Sequence, residues 1–256
     1  MKSSLNPGKE RRSINFLDNI CYSRVSDLEG RPLDLMLSVM VQNGNSEMRI
    51  AAGLDDEEDR TKKPLIVWIP GGGFRGCDKN LMVAEMQFLA EAGYALASIY
   101  YRSSAQGHYP DQIIDVKTAI RFLRAHAEEY QIDPGRVGVI GRSAGGHLSS
   151  MAAVNLDDNI SDEWPGYSSD VQACCNLFGP ADLVTLLEKD MEEMRNDPDH
   201  RWRNIGDTHG GALVGANGPE VWEKLRIASP INYGHLDHPA RRPGPPGSLY
   251  PKRSFL

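Results

Sequence analysis

A serine set between glycines at fixed spacing, Gly141-Arg142-Ser143-Ala144-Gly145, is the place where this chain could do covalent chemistry. A hydroxyl attacks a carbonyl efficiently only when it is presented clear of its neighbours and when the negative charge it creates is caught by fixed donors. GxSxG achieves the presentation when it lies between a strand and a helix. The serine backbone is then strained on a sharp turn, and the glycines keep side chains from striking the adjoining strand and helix. The helix that begins there aims its first amides at the same spot, so the N–H of Ala144 is a candidate oxyanion donor. The bland alternative is an ordinary glycine-rich turn, and the strand and helix on either side argue against it. A second element meets the first independently. Pro70-Gly71-Gly72-Gly73-Phe74 follows an apolar strand, and its glycines leave the N–H groups of Gly72 and Gly73 open to a substrate oxygen. A phosphate-cradling role would need GxxxxGK with Ser or Thr, or GxGxxG, and neither is present.

The elements that must position these residues are readable as alternating strands and helices. Strands are predicted at 21 to 25 and 32 to 41, then at Leu65 to Ile69 (LIVWI), whose continuous apolar run suits burial on both faces. A helix is predicted over 79 to 92, with Leu81, Met82, Met86 and Leu89 on one face and Gly93 closing it. A strand follows at 94 to 101. A helix then starts near Pro110 with Ile113, Ile114, Val116, Ile120 and Leu123 as its apolar stripe. RVGVI (136 to 140) is a strand, 143 to 154 a helix of small residues, and VQACCNLF (171 to 178) a further strand. This alternation predicts an α/β fold with a mostly parallel central sheet and helices on both faces.

Residues from about Pro64 to Pro180 resemble the esterase and lipase branch of the α/β-hydrolases, near the hormone-sensitive-lipase-like and feruloyl or acetyl-xylan esterase group. The pieces that carry the resemblance are PLIVWIPGGGF, YALASIYYR, DPGRVGVIGRSAGGHL and FGPADL, with ASPINY at 228 to 233. The resemblance implies an α/β-hydrolase fold and hydrolysis of small carboxylic esters through an acyl-enzyme at Ser143. It implies scaffold roles for Arg102, Asp115 and Asp182. Many relatives carry His ahead of the glycine loop, where this chain has Pro70. A serine peptidase of the same fold also uses a GxSxG serine, but the SAGGH continuation and the glycine triplet favour the esterase.

An activated serine needs a base, usually His, and an acid to orient it, following the nucleophile in the order Ser, acid, His. Neither is identifiable from the sequence. The histidines after the elbow are His147, His200, His209, His235 and His238, with Asp182, Asp199, Asp207 and Asp237 as candidate acids. His147 shares a helix face with Ser143 but is expected to be a packing residue. After Pro230 only 26 residues remain, fewer than the roughly 30 of a strand–helix–strand crossover. The expectation is an incomplete hydrolase domain over 1–237 without its last strands. An irregular Pro-, Gly- and Arg-rich tail over 238–256 would follow, resembling an out-of-frame or alternatively encoded segment. A catalytically impaired hydrolase-fold protein with a binding role is therefore the competing function, and an exposed sheet edge would favour self-association.

Bulk properties narrow the partners. With 35 acidic against 28 basic residues and a net charge of -7, the chain lacks the concentrated basic surface of a nucleic-acid groove. No apolar run reaches the ~20 residues of a membrane span. Cys21, Cys77, Cys174 and Cys175 have no metal spacing and are expected to be buried free thiols. The charged first 20 residues lack the apolar core of a secretion signal, so a cytoplasmic location is expected. No metal or organic cofactor is implied. The acidic stretch 42 to 63 reads as a solvated loop, and 156 to 226, with Trp164, Trp202 and Trp222, as cap and pocket wall, with aromatic core packing an equally good reading of the tryptophans. The sequence sets no oligomeric state.

Overall fold

Leu65, Val67 and Ile69 point one way along their strand and Ile66 and Trp68 the other, so both faces demand cover. They form β3 (Lys63–Ile69), inside a six-stranded sheet of order β1-β2-β4-β3-β5-β6 in a computed structural model that describes residues 14–42, 61–154 and 161–233. β4 (Ala95–Ile99) and β5 (Ile132–Arg142) flank β3 in parallel, and β6 (Ala173–Leu177) runs parallel to β5. β2 (Pro32–Gln42) lies antiparallel to β4, and β1 (Ile14–Ser26) antiparallel to β2. The sheet is thus mostly parallel, as expected, with β2 making the two antiparallel pairings at one side. The acidic stretch from 43 to 60, His235, Asp237, His238 and the expected tail lie outside the described residues.

On one face Leu65, Val67 and Ile69 pack with α2 (Asp111–Ala125) and α3 (Ala144–Val154), through Ile113, Val116, Ile120, Leu123, Leu148 and Met151. On the other face Trp68, Leu96 and Met40 meet Met86 and Ala90 beside α1 (Gln87–Glu91). This second face corrects the expected helix over 79 to 92, because only Gln87–Glu91 is α-helical. Its first half is a series of turns, for a physical reason. The Ser98 hydroxyl donates to the Lys79 carbonyl, and Trp68 Nε1 donates to the Leu81 carbonyl at 3.0 Å. Two carbonyls that a helix would use internally are thereby taken by the sheet, Met82 sits at φ 62°, and Leu81 stays exposed.

The cysteine expectation is half corrected. All four thiols are free, but Cys21 and Cys77 are only half-buried and Cys174 and Cys175 are exposed. Both lie on β6, which pairs only with β5 among the described residues, so no described strand covers its other edge.

After β6 the chain turns at Asp182 into α4 (Leu183–Asn196). The Asp182 carboxylate accepts from the Val184 N–H at 2.9 Å and the Thr185 hydroxyl at 2.7 Å, which hold its carboxyl below the usual range. This is an N-cap, and losing such a cap costs about 1 kcal/mol. Asp182→Ala is expected to lower Tm by about 3 °C, measured by thermal unfolding; an unchanged Tm would show that the start of α4 is held by packing alone. Two short helices, α5 (His209–Val214) and α6 (Val221–Ile227), complete this side. No helix among the described residues is long and apolar enough to cross a membrane.

Candidate active site

β5 ends at Arg142 and α3 begins at Ala144, so a single residue, Ser143, makes the turn, with φ 54°. A non-glycine residue in the left-handed region stores strain, and the surroundings hold it there. Its N–H donates to the Leu177 carbonyl at 2.9 Å, and its carbonyl accepts from the His147 N–H at 3.0 Å. A side chain on Gly145 would strike the backbone carbonyls of Ile69 and Pro70, so this residue type is what lets the helix start against β3.

The glycine loop lies directly beside this turn. A Cβ on Gly71 would stand 3.2 Å from Ser143 Cβ and 2.7 Å from the Arg142 carbonyl. Pro70, in the place where many relatives of the resembling group carry His, is anchored another way. The buried Tyr101 hydroxyl donates to the Pro70 carbonyl at 2.8 Å, and the Ser104 N–H donates to the Phe74 carbonyl at 2.6 Å. Both ends of the loop are therefore tied to the segment after β4. Among the described residues, the N–H groups of Gly72, Gly73 and Ala144 have no protein acceptor. Backbone N–H groups in a folded chain are seldom left unmatched unless water or a ligand meets them.

Arg102 and Asp115 hold that anchoring segment. Arg102 Nη2 donates to Asp115 Oδ1 at 2.7 Å and Nε to Oδ2 at 3.0 Å, while the Arg102 N–H donates to Oδ2 at 2.9 Å. Burial pushes the Asp115 carboxyl up, and the guanidinium works against that push.

Of the histidines after the elbow, His147 is fully buried. Its ring contacts the Pro180 carbonyl through Nδ1 at 3.0 Å and meets the Phe74 ring edge-on at 5.3 Å. Burial lowers its pKa to about 4, so near neutral pH it is uncharged and fills space between the elbow helix and the glycine loop. His200 is 4.9 Å from Trp202 between ring centroids and lies away from the elbow turn in sequence. His209 is different: its ring lies against the glycine loop, with Cδ2 2.8 Å and Nε2 3.0 Å from where a Cβ on Gly73 would stand. Behind it, Asp190 Oδ2 is 3.7 Å from His209 Nδ1. None of these three rings hydrogen-bonds the Ser143 hydroxyl.

Asp190 was not among the acids singled out from the sequence. A signal existed, since it continues the buried stripe Leu183, Leu187, Asp190 of α4, where a carboxylate is out of place. Asp199 and Asp207 go to local turns: Asp207 caps the Asn204 turn, and no contact brings Asp199 to the elbow. Of the three tryptophans expected in a pocket wall, only Trp202 stands beside the candidate site, edge-on to His209 at 4.8 Å. Trp164 instead packs on Phe122 and His126, and its Nε1 donates to the Tyr22 carbonyl at 3.2 Å. No cluster of His, Cys, Asp or Glu suited to a metal occurs among the described residues.

Comparison with known proteins gives the family and the fold. Residues 54–241 match the BD-FAE family. The "Probable carboxylic ester hydrolase LipM" of Mycobacterium tuberculosis is 39% identical over 129 residues, which make up 49% of this chain and 30% of that protein. Neutral cholesterol ester hydrolase 1 of Rattus norvegicus is 35% identical over 109 residues, 41% of this chain and 26% of that one. The chain thus spans about a third or less of the curated relatives it matches. Among solved structures, a truncated form of a carbohydrate esterase from gut microbiota superposes with a TM-score of 0.63 at 26% identity, covering 88% of this chain and 74% of that one. Thermogutta terrifontis esterase 2, phosphorylated by paraoxon, superposes with a TM-score of 0.56 at 19% identity over 88% of this chain and 66% of that one, a likeness of fold.

Proposed function

This chain belongs to the BD-FAE family, in the esterase and lipase branch of the α/β-hydrolases, and we propose that it is a serine carboxylesterase acting on small esters through Ser143. The observation that carries the reading is the strained Ser143, at φ 54°, beside a glycine loop whose amides have no protein acceptor among the described residues. In the reaction, Oγ bonds to the ester carbonyl carbon and gives its proton to a base, while the new oxyanion is held by the N–H groups of Gly72, Gly73 and Ala144. Collapse of that intermediate breaks the bond to the alcohol, which leaves with a proton. Water then attacks the acyl-enzyme and releases the acid and the free serine. The relatives' names support ester substrates, and no metal or organic cofactor enters these steps. Four unpaired thiols support a reducing, cytoplasmic setting.

One observation favours a second reading. The Ser143 hydroxyl has no histidine partner among the described residues, as in a hydrolase fold kept for binding rather than turnover. A fluorophosphonate separates the two. Rapid labelling of the full chain, seen as one adduct by intact mass and mapped to Ser143, is the expected result. A folded chain that stays unlabelled would sink the esterase reading and leave the binding protein.

A further inference from the structure

Neither Asp190 nor His209 is a nucleophile or an oxyanion donor, yet together they stand at the edge of that machinery. Asp190 is 5% exposed, and its Oδ2 is buried with no hydrogen-bond partner among the described residues. An unmatched buried carboxylate oxygen is costly, so it implies a proton donor close by. The group facing it is His209 Nδ1, at 3.7 Å. A carboxylate on the Nδ1 side fixes the tautomer with the proton there and leaves the lone pair on Nε2. That nitrogen is then an acceptor, and the ring edge laid on Gly73 is the one that carries it, with Cδ2 2.8 Å and Nε2 3.0 Å from the Cβ position.

The loop runs from Ser143 at its Gly71 end to His209 at its Gly73 end. Two steps of ~3.8 Å between successive Cα atoms set the width of the seat between them. Two further contacts hold the ring in place: Trp202 meets it edge-on, and Arg75 Nη2 donates to the Asp207 and Thr208 carbonyls, tying the residues before His209 to the glycine loop. An open groove of about 430 Å³ adjoins this clamp, where Arg75, Ser104, His108 and Asn217 alternate with small residues such as Gly211 and Ala212, so polar groups are within reach of whatever extends past the loop.

We infer that His209, oriented by Asp190, is a specificity-determining residue that accepts a hydrogen bond from a free hydroxyl on the ester, so that hydroxyl-bearing esters are preferred over plain ones. His209 would touch the substrate, and Asp190 is a positioning residue acting through it. The inference rests on the esterase reading for where substrate sits, but its test does not need turnover.

The Ser143→Ala chain is titrated with glycerol monoacetate, ethyl lactate and ethyl acetate while the histidine ring nitrogens are followed by ¹⁵N NMR in mildly alkaline buffer. The expected ring is protonated at Nδ1 and bare at Nε2. A hydroxyl-bearing ester should bind about tenfold tighter than ethyl acetate, the worth of one hydrogen bond, and should shift His209 Nε2. Glycerol monoacetate carries its hydroxyls on the alcohol part and ethyl lactate on the acyl part, so the tighter of the two tells which side of the ester meets His209. Adding His209→Ala should erase the preference. Asp190→Ala should blur the tautomer and weaken the preference to about twofold, while Asp190→Asn, whose amide oxygen presents an acceptor to the same ring nitrogen, should restore most of it. A proton on Nε2, or equal binding of all three esters, would overturn the inference. A preserved preference in a chain that fluorophosphonate does not label would overturn the esterase reading alone.

Discussion

Ser143→Ala is expected to reduce p-nitrophenyl acetate hydrolysis by at least ~10³-fold, to near the rate of buffer, because the acyl-enzyme route cannot start without Oγ. What survives is the assistance of the oxyanion donors to attack by water, which is small without a nucleophile to pair with them. The substitution should leave the fold intact. The Ser143 side chain makes no hydrogen bond among the described residues, and alanine at φ 54° bears much the same backbone strain as serine. Tm is therefore expected within the range of ordinary surface changes, and the activity loss can be read as chemistry. Purified wild type and variant, assayed side by side with a thermal melt of each, provide the check. Equal rates in two equally stable proteins would mean that acetate is released at nucleophiles other than Ser143, and the carboxylesterase reading would fall.

How legible this site was depended on how local its causes are. The elbow is set by five consecutive residues between a strand and a helix, so Gly141 to Gly145 announced it, and the glycine loop announced itself after LIVWI for the same reason. The structure brings these two pieces together because the chain crosses over to make β3 and β5 parallel neighbours, an order that does not follow from their sequence, and the loops leaving their carboxyl ends then meet. Elements whose form depends on distant partners were read poorly. Residues 79 to 86 have strong helix formers, but the sheet residues Ser98 and Trp68 claim their carbonyls, a tertiary contact that local propensity does not contain. β1 extends back to Ile14 because it pairs with β2 across exposed positions with little apolar alternation to reveal it. Asp190 was missed because its meaning lies in an imidazole 19 residues further on, brought to it by the packing of α4 against α5. His147, by contrast, has the spacing of a partner for Ser143 but reads as a packing residue, and it is packed inside. Sequence spacing placed it on the right helix face and said nothing about which ring nitrogen faced what.

Asp115→Ala is the stability change with the largest expected effect, about 3–5 kcal/mol. The reason is asymmetry: a buried pair adds little over an apolar substitute, but removing one partner strands the other charge in a medium that cannot solvate it. The Arg102 side chain is 10% exposed and would lose its three contacts to the carboxylate, keeping only Asp111, whose Oδ1 lies 3.3 Å from Nη1. For a chain of this size the corresponding fall in Tm is roughly 10 °C. The consequence reaches the site, because Arg102 sits between Tyr101, which holds the Pro70 carbonyl, and Ser104, which holds the Phe74 carbonyl. Loosening residues 101 to 104 releases both ends of the glycine loop, so the labelling rate at Ser143 should fall even at temperatures where the variant remains folded. Arg102→Met combined with Asp115→Leu removes both charges and should recover much of the Tm while leaving the labelling rate low, since the backbone N–H of residue 102 would still lack its carboxylate acceptor. Thermal melts and fluorophosphonate labelling of the three proteins together decide this. If Asp115→Ala melts within about 2 °C of the wild type, below what a buried unpaired charge would impose, Arg102 has found water, and the clamp on the glycine loop is not the one described.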